Sequence, residues 1–238
     1  MNHNSKPLEY VDEDEANKSK NYKEAIDYIR DNVQDGDKKK KYILDFGQTL
    51  AKYHPRPILE IIKGFIEEDM NSKPGIGSKK GTIVWANVFV ASKSKPNPEA
   101  KECLDELIGF FIKNFDRLEE KEKILNLTFS NMLSKYSELK KPFTHSTRRD
   151  SEIEEVAEVS DKMMKMLNDL KFTDNMDKNH ILLLLKHCKF DQGVEKMCEL
   201  MLLNPFLLSY YIDRQNIDEA LNFCKTKAEG NADLWITF

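Results

Sequence analysis

The chain has few of the residues that interrupt helices: nine glycines and eight prolines among 238 residues. An all-β fold needs many tight turns, and turns draw heavily on glycine and proline, so this scarcity argues against one. The composition is 33% charged and 40% hydrophobic, which favours helices that bury one face and expose the other. We therefore expect an all-α protein.

Long apolar runs and a cysteine framework are also missing. No stretch approaches the roughly 20 apolar residues that span a bilayer, and residues 1–10 lack the apolar core of a secretory signal. These absences predict a soluble protein made in the cytosol. The four cysteines fall at irregular spacings within apolar patterns, as expected of reduced, buried thiols. They are Cys103, Cys188, Cys198 and Cys224.

No single charge dominates the chain. It contains 41 acidic and 37 basic residues, spread along its length, for a net charge of −4. A protein that follows a phosphate backbone normally has a sustained basic face. We therefore expect no nucleic-acid partner.

A six-residue phrase that occurs three times is the most informative feature present. It reads polar, large apolar, polar, Glu or Gln, Ala or Gly, branched apolar, and its copies begin at residues 21, 189 and 216. In a helix the small residue lets a second helix approach, while the apolar residues beside it are buried on the same side. The predicted packing pairs of small and large residues are Ala25 with Tyr22, Gly193 with Phe190, and Ala220 with Ile217.

Helical periodicity predicts an α-solenoid of stacked antiparallel helical hairpins with one long insertion loop. The loop contains one apolar stretch, Ile83–Val90, which we interpret as an anchor. The predicted segments are a disordered acidic segment at 1–20, a helical repeat block at 21–70, a flexible insertion loop at 71–97, helical repeats at 98–141, a linker at 142–150, and a C-terminal repeat block at 151–238 that reads as truncated.

Three local patterns could be mistaken for binding sites. Gly75–Thr82 has the residue types of a phosphate loop but not their order. The run Lys38–Lys41 follows several aspartates, so we interpret it as a solvated helix start. The soft ligand types at His187, Cys188 and Cys198 lack the close pair that would place two of them on one zinc ion. We predict no cofactor and no metal site.

Nothing in the sequence indicates an active site. We expect no carboxylate to lie on an apolar face, where burial would raise its pKa into a catalytic range, and no Ser, Cys or His has an evident base beside it. The sequence therefore predicts a protein that is not an enzyme, with no catalytic residues and no small-molecule substrate.

The order of the helix phrases resembles one protein family. Residues 24–29, 189–194 and 216–221, followed by Ala232-Asp233-Leu234-Trp235, are similar to the clathrin heavy-chain repeat region of the vacuolar protein sorting-associated protein 11 family. The likeness covers most of residues 21–238, and the insertion falls where that family commonly carries a variable one. It implies repeats of the clathrin heavy-chain or TPR-like type. Family members also carry a β-propeller and a zinc-binding RING finger, which this sequence does not match.

The resemblance implies a scaffold in the HOPS and CORVET membrane-tethering complexes. Its partners would be the other class C core subunits and, through them, Rab GTPases and SNAREs. The chain would associate peripherally with the cytosolic face of late endosome, vacuole or lysosome membranes. It would support vesicle docking, membrane fusion and protein transport to the vacuole.

Alternatives remain open at this point. The same packing phrases occur in other α-solenoid trafficking adaptors, such as clathrin-like coat or ciliary transport subunits. A helical enzyme could assemble its site from residues that are distant in sequence. Trp235 could form an exposed interaction surface or pack in the core.

Overall fold

The structure is helical throughout the part of the chain that it describes. The computed structural model describes residues 13–71, 81–90, 97–140 and 150–227, and no strand occurs in these ranges. The predicted all-α class of stacked helical hairpins is confirmed. The contacts divide the chain into two compact units, Met1–Glu120 and Lys121–Phe238. The boundary falls within the predicted block 98–141.

The first unit packs consecutive helices against each other, α1 on α2, α2 on α3 and α3 on α4. A single residue, His54, joins α2 to α3, so these helices form a tight antiparallel hairpin. The bounds are α1 Glu13–Asp31, α2 Gly36–Tyr53, α3 Pro55–Asn71 and α4 Pro98–Lys113, with a short 3₁₀ helix at Phe115–Arg117.

Helix α1 corrects the predicted disorder of residues 1–20, because it begins at Glu13. Acidic residues are favourable at a helix N-terminus, where the backbone dipole is positive. The acidic run that suggested disorder therefore lies where it stabilises a helix. Residues 1–12 lie outside the described part of the chain.

The middle of the predicted insertion loop is folded into the first unit. Residues Thr82–Val88 form a 3₁₀ helix that packs against α2 and α4. Trp85 is 1% exposed, and its ring lies 5.3 Å from that of Phe65. Gln48 donates a hydrogen bond to the Asn87 carbonyl at 2.9 Å. The prediction of a flexible loop is therefore wrong for residues 81–90, because Trp85, Val88 and Phe89 are buried in the first unit. Residues 72–80 and 91–96 are not described.

The second unit has a layered arrangement in which helices contact their neighbours in sequence and the matching helices of the next hairpin. Helix α5 packs on α6 and α8, while α9 packs on α6, α8 and α10. Of the predicted linker 142–150, Asp150 already belongs to α6 and the rest is not described. The bounds are α5 Lys121–Lys140, α6 Asp150–Asn168, α7 Leu170–Thr173, α8 Lys178–His187, α9 Asp191–Met201, α10 Asn204–Asp213 and α11 Ile217–Lys227.

The hairpins α8–α9 and α10–α11 are two copies of one structural repeat. The buried positions of the first hairpin recur in the second at one constant interval along the chain, which shows that corresponding side chains perform the same packing. The matching pairs are Ile181 and Leu207, Leu182 and Leu208, Leu185 and Tyr211, Val194 and Ala220, Met197 and Phe223, and Cys198 and Cys224.

Helices α8, α9 and α10 also end in the same way. Lys189, Leu202 and Gln215, which are evenly spaced along the chain, have φ values of 54°, 56° and 58°. The next backbone N–H reaches back five positions, as in the bond from Leu203 to the Cys198 carbonyl at 2.9 Å. This is the Schellman geometry, which normally places glycine in the left-handed position. Each helix with its cap is therefore half of the repeat, and the two halves have equal length.

Candidate functional site

The most specific packing site of the second unit surrounds Gly193. A Cβ atom at this position would overlap the ring of Phe190 and lie 2.7 Å from Cδ2 of Leu185. Phe190 is 2% exposed, and the Tyr136 ring meets it edge-on at 5.0 Å. Gly193 and Phe190 therefore have the packing roles that the sequence predicted, although the tight approach involves α8 and the residue before α9.

The register predicted between the last two phrases is wrong by one residue. Phe190 accepts the hydrogen bond that starts α9, from Val194, and Asn216 accepts the one that starts α11, from Ala220, both at 3.1 Å. Phe190 is therefore equivalent to Asn216. Ala220 occupies the position of Val194, and its 0% exposure agrees with a packing role. Ile217 is 46% exposed and does not fill a groove in the described residues.

The first phrase does not form the predicted crossing either. Ala25 is exposed, so it does not permit close helix contact. Tyr22 is half-buried and stacks on Tyr53 with ring centroids 4.9 Å apart, which joins α1 to the end of α2. The inward residue of this phrase is Ile26, which is 1% exposed. Trp235, the predicted interaction residue, lies outside the described residues.

A polar cluster joins α9 to α10. Asp191 accepts hydrogen bonds from the Tyr210 hydroxyl at 2.5 Å and from Arg214 at 3.0 Å. Charge-assisted bonds of this kind are stronger than neutral ones. Burial, with the bond to Asp191, raises the pKa of Tyr210, so its hydroxyl remains a donor. The cluster fixes the orientation of α10 on α9.

Glu195 lies at the same junction, near the hydroxyl of Tyr211. Burial raises the pKa of Glu195, and the negative charges of Asp191, Glu219 and Glu199 raise it further, while the nearby Tyr211 hydroxyl lowers it. Glu195 is therefore a half-buried carboxylate with a raised pKa, in surroundings that the sequence did not lead us to expect. The sequence signal was weak, because Glu195 lies beside the apolar stripe of α9 and is half-buried only because α10 packs there.

An open groove of about 500 Å³ crosses the surface of the first unit between α1, α2 and α3. Ile61 and Phe65 line it together with the cations Arg30, Lys39 and Arg56. These cations already have partners: Arg30 bonds to Asp31 at 2.8 Å, and Lys39 donates to the Arg30 carbonyl at 3.0 Å. The groove is therefore not a free basic site.

Salt bridges join α3 to α4 beside this groove. Arg56 bonds to Glu106 at 2.6 Å and to Glu102 at 3.2 Å. Lys63 also reaches Glu106, at 2.5 Å, and its hydrogen bond lowers the pKa of that carboxyl. Exposed pairs contribute little energy singly but fix orientation when they form a network. The network holds α3 against α4.

The lysine run at the start of α2 is used within the fold. Lys38 lies 3.9 Å from Asp35, and Lys40 pairs with Asp69 at 2.5 Å. Lys40 also lies over the Phe65 ring. The run lies at the start of α2, as predicted, but Lys39 and Lys40 are half-buried rather than fully solvated.

Two sequence patterns were considered above as binding sites, one for a metal ion and one for phosphate. Within the described ranges, no group of three or more His, Cys, Asp or Glu side chains could hold a metal ion. Burial raises the pKa of Cys198 to about 11, which keeps the thiol protonated. Most of the phosphate-loop pattern is not described. At its end the Glu120 carboxylate lies against Gly81, where it would repel a phosphate.

Comparisons with known proteins identify no relative. No protein-family model matches the chain, and no curated protein or solved structure matches it. None of the helices among the described residues is long and apolar enough to cross a membrane.

Proposed function

We propose that this chain is a scaffold subunit of an endosomal and vacuolar or lysosomal membrane-tethering complex of the HOPS and CORVET type. The observation that supports a scaffold is the structural repeat formed by α8–α9 and α10–α11. A repeat array is stabilised by contacts between neighbours and leaves long outer faces for partners. The order of helix phrases shared with the vacuolar protein sorting-associated protein 11 family favours a tethering complex over other assemblies.

The chain would act as a rigid support that holds partner subunits in place. Paired helices hold an extended set of side chains in fixed positions, and other class C core subunits bind to those faces. Several large apolar side chains are available for such contacts: Tyr28 and Phe46 in the first unit are 59% and 56% exposed, and Leu183 in the second is 64% exposed. The chain associates with membranes, Rab GTPases and SNAREs indirectly, through the partner subunits.

Affinity purification of the tagged chain from cells tests this function. We expect the other tethering subunits to be recovered with the wild-type chain. Phe46→Ser and Leu183→Ser form a matched pair, because each removes one exposed apolar side chain from a different unit. Loss of recovery with one and retention with the other assigns the partner surface to that unit.

The purification also discriminates between classes of scaffold. Recovery of clathrin-type coat or ciliary transport subunits in place of tethering subunits would contradict the proposal. Circular dichroism of both variants should remain that of the wild type, because neither side chain belongs to a core. A loss of helicity would attribute reduced recovery to unfolding rather than to a partner surface.

A further inference from the structure

One left-handed residue of the described chain does not end a helix of the repeat. Among the described residues that are not glycine, four have positive φ, and three of these follow the ends of α8, α9 and α10. The fourth is Glu120, with φ 55°. An L side chain adopts this conformation only at a cost in free energy, so it persists where surrounding contacts hold it.

Glu120 lies in the short link that leads from the first unit into α5. Leu118 is 5% exposed and is buried within the first unit, and α5 begins at Lys121. The link therefore consists of Glu119, which is exposed, and Glu120. The backbone freedom of the link depends on what holds Glu120.

The side chain of Glu120 reaches the start of the 3₁₀ helix Thr82–Val88. Its Oε2 atom accepts a long hydrogen bond, 3.4 Å, from the Ile83 backbone N–H. The carboxylate lies against Gly81, where a Cβ atom would overlap both of its oxygens. The 3₁₀ helix is itself held in the first unit by the buried Trp85. The contact therefore joins the link to the described part of the insertion, residues 81–90.

We propose that Glu120 is a conformational latch, through which the docked insertion segment 81–90 holds the link into α5 in one backbone conformation. Loss of the contact between the Glu120 carboxylate and the start of the 3₁₀ helix lets residue 120 leave the left-handed region. The link then becomes mobile. The docking of the insertion thereby controls how rigidly the chain continues past the first unit, whether or not the protein is a tethering subunit.

Gly81→Ala opens the latch from the side opposite to Glu120. The new methyl group takes the space of the carboxylate, which is the end of a flexible side chain and moves aside at little cost. The sequence of the link stays unchanged, and we expect the fold to persist. Gly109→Ala is the matched control, because it makes the same change in α4 of the same unit and its Cβ meets no atom within 4 Å.

Digestion of the full chain with a glutamate-specific protease measures the mobility of the link. The undescribed internal segments 72–80, 91–96 and 141–149 contain no glutamate, and in the described ranges every glutamate outside the link lies in a helix. Proteases cut mobile, exposed backbone far faster than helical backbone. A cut after Glu119 or Glu120 is recognised by mass spectrometry, because it divides the chain into two fragments of nearly equal length.

We expect Gly81→Ala to be cut at the link several-fold faster than the wild type, and Gly109→Ala to be cut at the wild-type rate. Glu120→Ala removes the latch from its other side and should match Gly81→Ala in the rate of cleavage after Glu119. Each rate is divided by that of the same bond in a short peptide of the link, which corrects for the altered sequence. The double variant should be no faster than the faster single variant, because both changes open one contact.

Two results would overturn the proposal. One is a folded Gly81→Ala chain that is cut at the wild-type rate. The other is a double variant in which the two rate increases multiply, because the changes would then act separately. Circular dichroism shows whether each variant is folded. If Gly81→Ala unfolds, Glu120→Ala decides the matter, and an unchanged corrected rate in that folded variant contradicts the latch.

Discussion

Single residues set the local geometry of the repeats. Lys189, Leu202 and Gln215 adopt a left-handed conformation that L side chains rarely take, and they do so where one helix must turn into the next. Gly193 has the opposite role, because its missing side chain makes room for Phe190 and Leu185. The backbone geometry at these positions therefore predicts whether a substitution raises or lowers the free energy of unfolding.

Leu202→Gly should stabilise the protein. Leu202 has φ 56° and is 82% exposed, so its side chain contributes little packing and strains the backbone. We expect the free energy of unfolding to rise by about 0.5–1 kcal/mol, the relief of strain exceeding the added entropy of the unfolded chain. Urea denaturation measures it. Leu183→Gly, at an exposed leucine inside α8, should instead lower stability by about 1 kcal/mol.

Glycine-to-alanine substitutions at two helical sites should change the free energy of unfolding in opposite directions. Gly193→Ala should lower the free energy of unfolding by about 1–3 kcal/mol, because the methyl group overlaps buried side chains. Gly64→Ala in α3 has no atom within 4 Å of the new Cβ and should raise it by about 0.5–1 kcal/mol. Thermal unfolding of both variants would contradict this account of Gly193 if the two shifted in the same direction.

At the scale of elements, polar pairs determine how α10 lies on α9. The hydrogen bonds of Asp191 are charge-assisted, whereas Glu195 is half-buried near three other carboxylates and holds its charge at a cost. The same junction therefore contains one stabilising carboxylate and one that opposes packing when ionised. This difference makes the junction sensitive to pH.

Glu195→Gln should stabilise the chain at neutral pH. The folded pKa of Glu195 is raised above the unfolded value of about 4.5, so the folded chain binds more protons than the unfolded chain in the interval above that value. Its contribution to stability therefore falls as pH rises through this interval. Gln keeps the size and polarity of the side chain without the charge.

Denaturation at a series of pH values checks this prediction. The difference in stability between Glu195→Gln and the wild type should be largest near neutrality and disappear below about pH 4.5. Glu158→Gln, at an exposed carboxylate whose pKa is lowered by Lys162, should show the opposite sign, being less stable than the wild type at neutral pH. A constant difference across the series would contradict the role of Glu195.

At the scale of the whole molecule, the chain consists of two compact units with separate cores. The first is built around residues such as Trp85 and Phe111, and the second around residues such as Phe129 and Phe190. Each unit exceeds the size at which a helical domain can bury enough apolar surface to fold. We therefore expect each of the two units to fold without the other.

Residues 1–120 and 121–238, expressed separately, should each be helical and unfold cooperatively. Far-ultraviolet circular dichroism and thermal melts of the two fragments measure this. Emission from Trp85 in the first fragment should match that of a buried indole. The helices α2 and α3 and the 3₁₀ helix Thr82–Val88, which contains Trp85, all belong to this unit. A fragment that melts without cooperativity would contradict the division at Glu120.

The sequence alone determined the all-α class, the main helices and the importance of Gly193, Phe190 and Ala220, because these follow from local periodicity and side-chain size. Tertiary structure decided what depends on which helix packs where. It placed the 3₁₀ helix Thr82–Val88 in the first core, left Glu195 half-buried, exposed Ala25 and Ile217, and set the register of the repeat. A short phrase cannot show which of its neighbours will be covered, since burial depends on helices that are distant along the chain.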